Sequence, residues 1–170
     1  MKRSATCIWM GLALFGMLAA TADKPSLQLI YNASDSAPRG WYRVTNPAQL
    51  RVGDYVVARL PEQIAALAAA RGYLPRSVPV LKRIAAVAGQ RVCVQSSVVV
   101  IGTQKVARTL DVDFSGRPLT AWRHCRRLLM GELFLLNRSA AGSFDSRYFG
   151  PIDTSFVRGV AIPIHIAITR

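Results

Sequence analysis

Residues 79–87 read Pro79-Val80-Leu81-Lys82-Arg83-Ile84-Ala85-Ala86-Val87. Alternate side chains of a β-strand point to opposite faces, so a strand here places Lys82 on one face with Val80 and Ile84. That face is otherwise apolar. Two interpretations stay open. The amine is either buried, which lowers its pKa because burial disfavours the charged form, or it reaches solvent while its stem lies on the strand edge.

Strand patterns of this kind recur along the chain and favour a mainly β fold. Runs of β-branched and aromatic residues between Gly, Pro and Asn turns predict strands at 27–31, 54–60, 78–87, 91–101, 106–114, 132–136 and 157–168. One helix is predicted, because Pro61 suits a first helical position, an alanine-rich run at 64–71 continues it and Gly72 ends it. We expect coiled antiparallel β-sheets with one inserted short helix.

The composition is that of one globular domain. The chain has 170 residues, of which 51% are hydrophobic and 18% charged, which excludes a disordered or collagen-like protein. Lysine and arginine number 22 against 9 acidic residues, giving a net charge of +13. Such an excess suits contact with anionic surfaces, including lipid headgroups.

The first 22 residues predict export. Met1-Lys2-Arg3 precedes an apolar run at 7–20, and Ala20-Thr21-Ala22 offers a cleavage site. The run is short for a membrane span, although its flanks could extend it into an anchor. We expect residues 1–22 to be a signal peptide or membrane anchor, and residues 23–170 to form a single domain outside the cytoplasm.

Two cysteines, Cys93 and Cys125, belong to the exported part. An oxidising compartment permits a disulfide between them. The alternatives are two buried free thiols or, less in keeping with the spacing, a zinc site that uses His124, since the sequence has no Cys-x-x-Cys or His-x-x-x-His pair.

The motifs of several common hydrolases are absent from the sequence, which has no His-Glu-x-x-His, no Gly-x-Ser-x-Gly and no Walker loop. Its two histidines are poor candidate bases: His124 sits among arginines, and His165 lies in an apolar strand pattern. A neutral lysine amine can activate a serine instead, provided that it is desolvated enough to lose its proton near neutral pH. Lys82 meets that requirement if its face is buried.

Four segments stand in the order found in type I signal peptidases. They are Ser34-Asp35-Ser36-Ala37-Pro38, Val52-Gly53-Asp54-Tyr55-Val56-Val57, Leu81-Lys82-Arg83-Ile84, and Ser143-Phe144-Asp145-Ser146-Arg147-Tyr148-Phe149-Gly150. The sequence resembles this serine/lysine peptidase family over residues 34–150, and within it the TraF branch, the conjugative-transfer peptidases that mature pilin. The resemblance implies a coiled β fold of the signal peptidase/LexA-like type. It also implies that the protein is located in the periplasm, either free or anchored to the outer face of the inner membrane.

The resemblance also implies a catalytic pair and its oxyanion hole. Ser36 matches the nucleophile, and Lys82 matches the general base that takes its proton. Ser34 matches the residue whose hydroxyl joins the backbone N–H of the nucleophile in binding the oxyanion. One departure is that Ala37 replaces the usual methionine and Pro38 arrives one residue early, which implies a changed substrate groove.

Further residues match the support of that pair. Ser143 matches a serine that orients the lysine, and Asp145 matches the acidic residue that holds the last segment through Arg147. Asp153 is an alternative for the acidic role. The usual Gly-Asp-Asn-Arg opening of this segment is reduced here to Leu136-Asn137-Arg138, which implies a changed turn.

The implied substrate is a membrane-held pilin precursor with small residues at the cleavage site, and the outcome is either hydrolysis or head-to-tail cyclisation. We expect contact with the membrane surface, no cofactor, no metal and no nucleic acid. Trp41 and Tyr42 suit either the lipid interface or the core. The alternatives are a general type I signal peptidase, or a non-enzymatic basic scaffold of the transfer apparatus that binds through the arginines at 123, 126 and 127.

Overall fold

The computed structural model describes residues 29–35, 37–47 and 49–166. Its strands are β1 Leu29–Asn32, β2 Gly40–Thr45, β3 Tyr55–Ala58, β4 Val80–Val87, β5 Arg91–Gln95, β6 Val98–Ile101, β7 Gln104–Arg108, β8 Cys125–Arg127, β9 Glu132–Leu135, β10 Ile152–Asp153 and β11 Val157–Ile166. The helices are α1 Glu62–Ala70 and α2 Ser146–Phe149, and a 3₁₀ turn spans Thr154–Phe156. The predicted signal or anchor at 1–22 lies outside the described residues. Within the described part, no helix is long and apolar enough to cross a membrane.

Two antiparallel sheets make up the fold. Seven strands follow the order β1-β2-β11-β3-β4-β9-β10, and four follow the order β7-β6-β5-β8. The pairings of β11 with β2 and β3, and of β4 with β9, each contain a register shift, and such bulges bend a strand and increase its twist. The predicted mainly β fold with curled antiparallel sheets and a short helix is confirmed.

Strand β4 lies in the interior of the larger sheet. Its first half pairs with β3 through Val80–Arg83, and its second half pairs with β9 from Ile84 to Val87. Val80 and Ile84 join one buried cluster, while Ala85 and Ala86 join a second cluster shared with the smaller sheet. The strand that carries Lys82 is therefore packed on both sides and cannot shift without disturbing both clusters.

Helix α1 follows the sequence prediction closely. It begins after Pro61 and ends at Ala70, with Gly72 at a φ of +68° just beyond. Glycine adopts this left-handed conformation without the steric cost that other residues bear. Ala65 and Ala68 are the buried positions, so the buried face of the helix consists of small side chains.

The predicted single strand at 91–101 is wrong. The structure divides it into β5 and β6, which form a hairpin whose turn residues, Ser96 and Ser97, have φ values of 47° and 60°. Two-residue hairpin turns with positive φ usually use Asn and Gly, so a pair of serines gave little signal. The strand predicted at 106–114 is also too long, since β7 ends at Arg108.

Three strands and one helix were not predicted. Strands β2, β8 and β10 lie in stretches that are rich in arginine or very short, and α2 has only four residues. In β2, buried and exposed residues alternate strictly. Tyr42 is completely buried, so the lipid-interface interpretation is wrong for it, whereas Trp41 is 45% exposed.

Cys93 and Cys125 face each other in the pairing of β5 with β8 and form a disulfide. The interpretations as free thiols or as a zinc site are therefore wrong. Among the described residues, no group of three or more His, Cys, Asp or Glu side chains could hold a metal ion.

Candidate active site

The amine of Lys82 is buried rather than exposed at a strand edge. Its side chain lies on the core side of β4 opposite Val56 of β3, and the residue is only 4% exposed. Its Nζ atom donates a hydrogen bond of 2.6 Å to the Oγ atom of Ser143. Alternation along β4 puts Leu81 and Arg83 on the other face, so the strand neighbours of Lys82 on its own face are the buried, apolar Val80 and Ile84.

Burial changes the acid–base behaviour of this amine. Desolvation lowers the pKa of Lys82 from 10.5 to about 8, against the opposing charge of Asp145, while the positive charge of Arg147 lowers it further. An amine with this pKa is neutral in a substantial fraction of molecules at mildly alkaline pH. It can then accept a proton, which an ordinary solvent-exposed lysine cannot do near neutrality.

Ser143 lies in a turn that is fixed by backbone contacts. Its N–H donates to the carbonyl of Ala140 at 3.1 Å, and its own carbonyl accepts from Nη2 of Arg147 at 3.2 Å. The residue is 4% exposed. A hydroxyl held in this way fixes the direction in which the Lys82 amine points.

Asp145 and Arg147 form a fully buried ion pair. Their closest atoms, Oδ1 of Asp145 and Nε of Arg147, are 2.8 Å apart, and the side chains are 0% and 1% exposed. Asp145 also caps helix α2 by accepting from the backbone N–H of Arg147. Charges at this depth need complete pairing, and Arg147 obtains it by donating also to the carbonyls of Arg108 and Ala140.

Asp153 does not share this buried network. It is exposed at the end of β10, where its carboxylate caps the 3₁₀ turn by accepting from the N–H of Ser155 at 2.8 Å. Of the two carboxylates considered for the acidic role, Asp145 is the one whose charge acts on Lys82.

The loop after β1 borders the same groove as Lys82. Ser36 lies outside the described residues, but Ser34 lines the groove together with Lys82 and Ser143. The hydroxyl of Ser34 donates to Oδ1 of Asn32 at 2.8 Å. The structure thus brings five of the predicted residues into one region. Ser34 lines the groove with Lys82 and Ser143, which are in direct contact, and Asp145 and Arg147 lie behind Ser143.

Comparison with known proteins identifies the family. The model of the family described as signal peptidase, peptidase S26 matches residues 1–166. The chain belongs to the peptidase S26 family. It is 31% identical over 172 residues to the conjugal transfer protein TraF of Agrobacterium tumefaciens (strain 15955), covering 95% of this chain and 96% of that one. It is 30% identical over 144 residues to the plasmid transfer protein TraF of Escherichia coli, covering 78% and 80% respectively.

A solved signal peptidase I from Enterococcus faecalis V583 is also similar, with 19% identity and a TM-score of 0.40 over 66% of this chain and 96% of that chain. The predicted resemblance to signal peptidases and to their TraF branch is confirmed. This S26 protein is a signal peptidase-like peptidase related to conjugation proteins.

Sequence reasoning missed two asparagines of this S26 site. Asn32 is buried at the end of β1, and its Nδ2 donates to the carbonyls of Ala37 and Pro38 at 2.9 and 3.1 Å. It also accepts from the backbone N–H of Ser34 at 3.2 Å. One side chain therefore ties together residues on both sides of Ser36. The only signal was an asparagine at the start of a turn-rich stretch, which is common in any loop.

Asn137 acts in a similar way on the lysine strand. Its Oδ1 accepts from the N–H of Arg83 at 3.0 Å, and its Nδ2 donates to the carbonyl of Leu81 at 3.4 Å. Its own N–H donates to Oδ2 of Asp145 at 3.3 Å. Asn137 therefore binds the backbone on each side of Lys82 and connects that strand to the buried ion pair.

The groove itself has a volume of about 720 Å³ and a largely apolar lining. Its walls come from β1 and the following loop, from β4, from the end of α1, and from the segment at 142–148. A groove of this size and character suits a largely apolar ligand better than a small polar molecule. His124 takes no part in it and stacks on Trp122, with ring centroids 5.1 Å apart.

Proposed function

We propose that this S26 protein is an extracytoplasmic serine endopeptidase of a conjugative transfer system, which cleaves the pilin precursor with a Ser36/Lys82 dyad. The observation that carries the proposal is the Lys82 amine: it is 4% exposed, it has a pKa of about 8, and it borders an apolar groove beside the loop that holds Ser36. The conjugal and plasmid transfer proteins among its relatives support the cellular process.

In the proposed reaction, neutral Lys82 accepts the hydroxyl proton of Ser36 as the serine oxygen attacks the scissile carbonyl. The tetrahedral intermediate then collapses, the C–N bond breaks, and the Lys82 ammonium gives its proton to the departing amine. An acyl-enzyme on Ser36 remains. Attack by water yields a linear product, whereas attack by the amino terminus of the same substrate yields a cyclic one.

The oxyanion is proposed to be bound by the backbone N–H of Ser36 and the hydroxyl of Ser34. That hydroxyl donates to Oδ1 of Asn32 at 2.8 Å, so binding the oxyanion requires it to rotate toward the substrate. Each such donor contributes about 2.7–4 kcal/mol to transition-state stabilisation. Ser143 orients the lysine, while Asp145 and Arg147 hold the Ser143 turn in place.

The proposed location is the periplasmic face of the inner membrane. Three observations support it: the export signal pattern at 1–22, the disulfide between Cys93 and Cys125, and an exposed apolar stripe on the outermost strands. The stripe consists of Leu29, Tyr31, Trp41, Ile162 and Ile164, which are 45–55% exposed. A substrate held in the same membrane would reach the groove without leaving the bilayer surface.

The experiment incubates the purified full chain with a pilin precursor and follows the products by mass spectrometry. We expect cleavage after a small residue, and loss of at least a thousandfold in rate for Ser36→Ala and for Lys82→Met. The exposed residues Ser155 and Lys105 supply matched controls, since Ser155→Ala and Lys105→Met should cleave normally. A product lighter than the linear peptide by one water identifies cyclisation.

Two other outcomes would replace the proposal. Full processing by both Ser36→Ala and Lys82→Met would contradict the catalytic dyad. If the protein is instead a non-enzymatic basic scaffold, its function should be lost on substitution of Arg123 and Arg127, which are exposed. Equal cleavage of unrelated secretory precursors would indicate a general type I signal peptidase.

A further inference from the structure

A cluster of aromatic rings continues the groove wall from Ser143. Phe144 is the next residue, and its ring lies 5.2 Å from that of Tyr73, which in turn lies 5.8 Å from that of Phe114. These three residues, here called the aromatic cluster, come from three separate segments, and all of them line the groove that also contains Lys82. Tyr148 stacks on the far side of Phe144 with its ring almost parallel, at 6.0 Å.

Phe114 is a large apolar side chain that is mostly exposed to solvent. It is 83% exposed, at the tip of a loop that joins β7 to β8. A phenylalanine ring that is left in water contributes little to stability, because the hydrophobic effect stabilises only apolar surface that is removed from water. Its contact with Tyr73 keeps one edge of the ring against the groove and leaves the rest open to a ligand.

The loop that carries Phe114 is held firmly by Asp113. This carboxylate, whose side chain is 3% exposed, accepts from the hydroxyl of Tyr73 at 2.5 Å, from Nε of Arg117 at 2.8 Å and from the backbone N–H of Ser115 at 2.8 Å. Burial would raise the pKa of Asp113, but these hydrogen bonds outweigh it and hold the pKa well below its usual value. Asp113 therefore stays ionised and fixes the loop over a wide pH range.

The charges around the cluster are already paired. Arg117 binds Asp113 and lies over the ring of Tyr73 at 5.5 Å, and Arg71 lies 3.9 Å from the same carboxylate. The surface that remains toward the groove is made of ring faces and aliphatic carbons, so it favours an apolar ligand group over a charged one.

We propose that the aromatic cluster is a substrate subsite that binds a large apolar side chain of the peptide, at a position separate from the small residue before the cut. The inference rests on the proposed function, because the continuous groove makes one peptide the ligand of both the Lys82 region and the cluster. Recognition of a large side chain here and a small one at the cleavage site would restrict cleavage to few precursors.

The test compares peptide substrates in which one leucine or phenylalanine is moved along an alanine-rich sequence that contains the cleavage site. The wild-type chain should prefer a large apolar residue at one position by about tenfold or more in kcat/KM, the range expected of an apolar pocket. Phe114→Ala should reduce that preference to below threefold. Phe114→Tyr should restore the preference.

Met130 supplies the matched control, because it is 91% exposed and is not part of the groove lining. Met130→Ala should keep the full preference. A preference that survives in Phe114→Ala, or a wild-type chain with no preference, overturns the subsite.

A binding measurement separates this inference from the proposed function. Fluorescence anisotropy of a labelled peptide reports affinity without cleavage, and we expect Phe114→Ala to weaken binding of the leucine-containing peptide about tenfold. Such a loss without any cleavage by the wild-type chain would support the subsite and contradict the peptidase. Cleavage by the wild-type chain, with equal peptide binding by wild type and Phe114→Ala, would support the peptidase and contradict the subsite. Absence of cleavage together with equal binding would contradict both proposals.

Discussion

Lys82 shows how one residue can be unfavourable for the fold and useful for chemistry. Desolvation holds the pKa of its amine at about 8, against 10.5 in water. In the unfolded chain the amine binds its proton more tightly, so the folded state is penalised at every pH at which the unfolded lysine is charged. The penalty is complete below pH 8 and is relieved as the pH rises from about 8 to 10.5.

We therefore predict that Lys82→Met stabilises the protein at neutral pH. Replacing the buried cation by an apolar chain of similar length removes the penalty, and the advantage of the variant over wild type should shrink by about 2 kcal/mol between pH 7 and 9.5. Urea unfolding at the two pH values measures it. Lys105→Met, which alters an exposed lysine, should show no such pH dependence. A constant difference for Lys82→Met would contradict the lowered pKa.

Ser143 is predicted to act as a positioning residue. Ser143→Ala removes the acceptor 2.6 Å from the amine, so kcat/KM for the pilin precursor should fall by about 10- to 100-fold. The loss also removes a hydrogen bond to the protonated amine, so the pH at which activity rises should move downward from about 8. A purely structural defect would lower activity without moving the pH profile. Ser143→Thr, which keeps a hydroxyl, should restore both.

At the scale of elements, sequence patterns predicted what depends on local chemistry. The alternation in β4, the proline and glycine that bound α1, and the apolar runs of β3 and β9 are local signals, and the structure follows them. Strand β2 was not predicted because it contains no continuous apolar run. Its buried residues, Tyr42 and Val44, alternate with exposed Trp41, Arg43 and Thr45. Strand β8 has only three residues and is defined by its pairing with β5.

The candidate site also contains residues with a local sequence signal and residues whose role depends on tertiary contacts. Lys82, Ser143, Asp145 and Arg147 were found through an ordered set of motifs, whereas Asn32 and Asn137 were not assigned a role. Each asparagine acts on a backbone that is brought to it by tertiary structure: Asn137 binds Arg83, which is 54 residues away in the chain. No local pattern contains that contact, so it could not be predicted from one sequence.

The hairpin between β5 and β6 gives a prediction for a single element. Ser96 and Ser97 hold φ values of 47° and 60°, which cost a non-glycine residue about 1–2 kcal/mol each. The double substitution Ser96→Asn with Ser97→Gly should raise the free energy of unfolding by about 1 kcal/mol, since Asn-Gly is the preferred sequence for this turn. Thermal unfolding measures the gain. Ser115→Gly, at a loop position without positive φ, is the control and should not stabilise; destabilisation by the Asn-Gly variant would contradict the assigned turn.

At the scale of the whole molecule, Arg147 connects the two sheets. Its side chain binds Asp145 and the Ser143 turn, and Nη1 donates to the carbonyl of Arg108 at the end of β7 in the smaller sheet. The N–H of Trp122 donates to the carbonyl of Arg147 at 2.8 Å, which adds a second link to the segment before β8. The segment that contains Ser143 and Arg147 therefore also links the two sheets.

We predict that Arg147→Met destabilises the protein by about 3–5 kcal/mol, because it leaves the buried charge of Asp145 without a partner. Adding Asp145→Asn removes that charge, so the double variant should be more stable than the sum of the two single losses. Urea unfolding of the three variants gives the coupling. The partly exposed pair of Arg126 and Glu132 is the control, and Arg126→Met should cost about 1 kcal/mol or less. Additive losses at 145 and 147 would mean that the pair is not coupled.

We propose that the exposed apolar stripe orients the molecule relative to a membrane. Tyr31 of β1 lies opposite Trp41 of β2, and Ile162 of β11 lies opposite Arg43, so apolar side chains and one cation share one face of three adjacent strands. Indole rings and arginines suit the lipid headgroup region.

We predict that Trp41 enters the lipid interface when the full chain is reconstituted into vesicles with anionic lipid. The variant with Trp9→Phe and Trp122→Phe leaves Trp41 as the only tryptophan, and brominated lipids should quench its fluorescence strongly while aqueous iodide should not. The variant with Trp9→Phe and Trp41→Phe leaves Trp122, which is partly buried against Phe134 and should be quenched much less by the brominated lipids. Quenching of Trp41 by iodide alone would place the stripe in water, and the groove would then receive its substrate from the aqueous side.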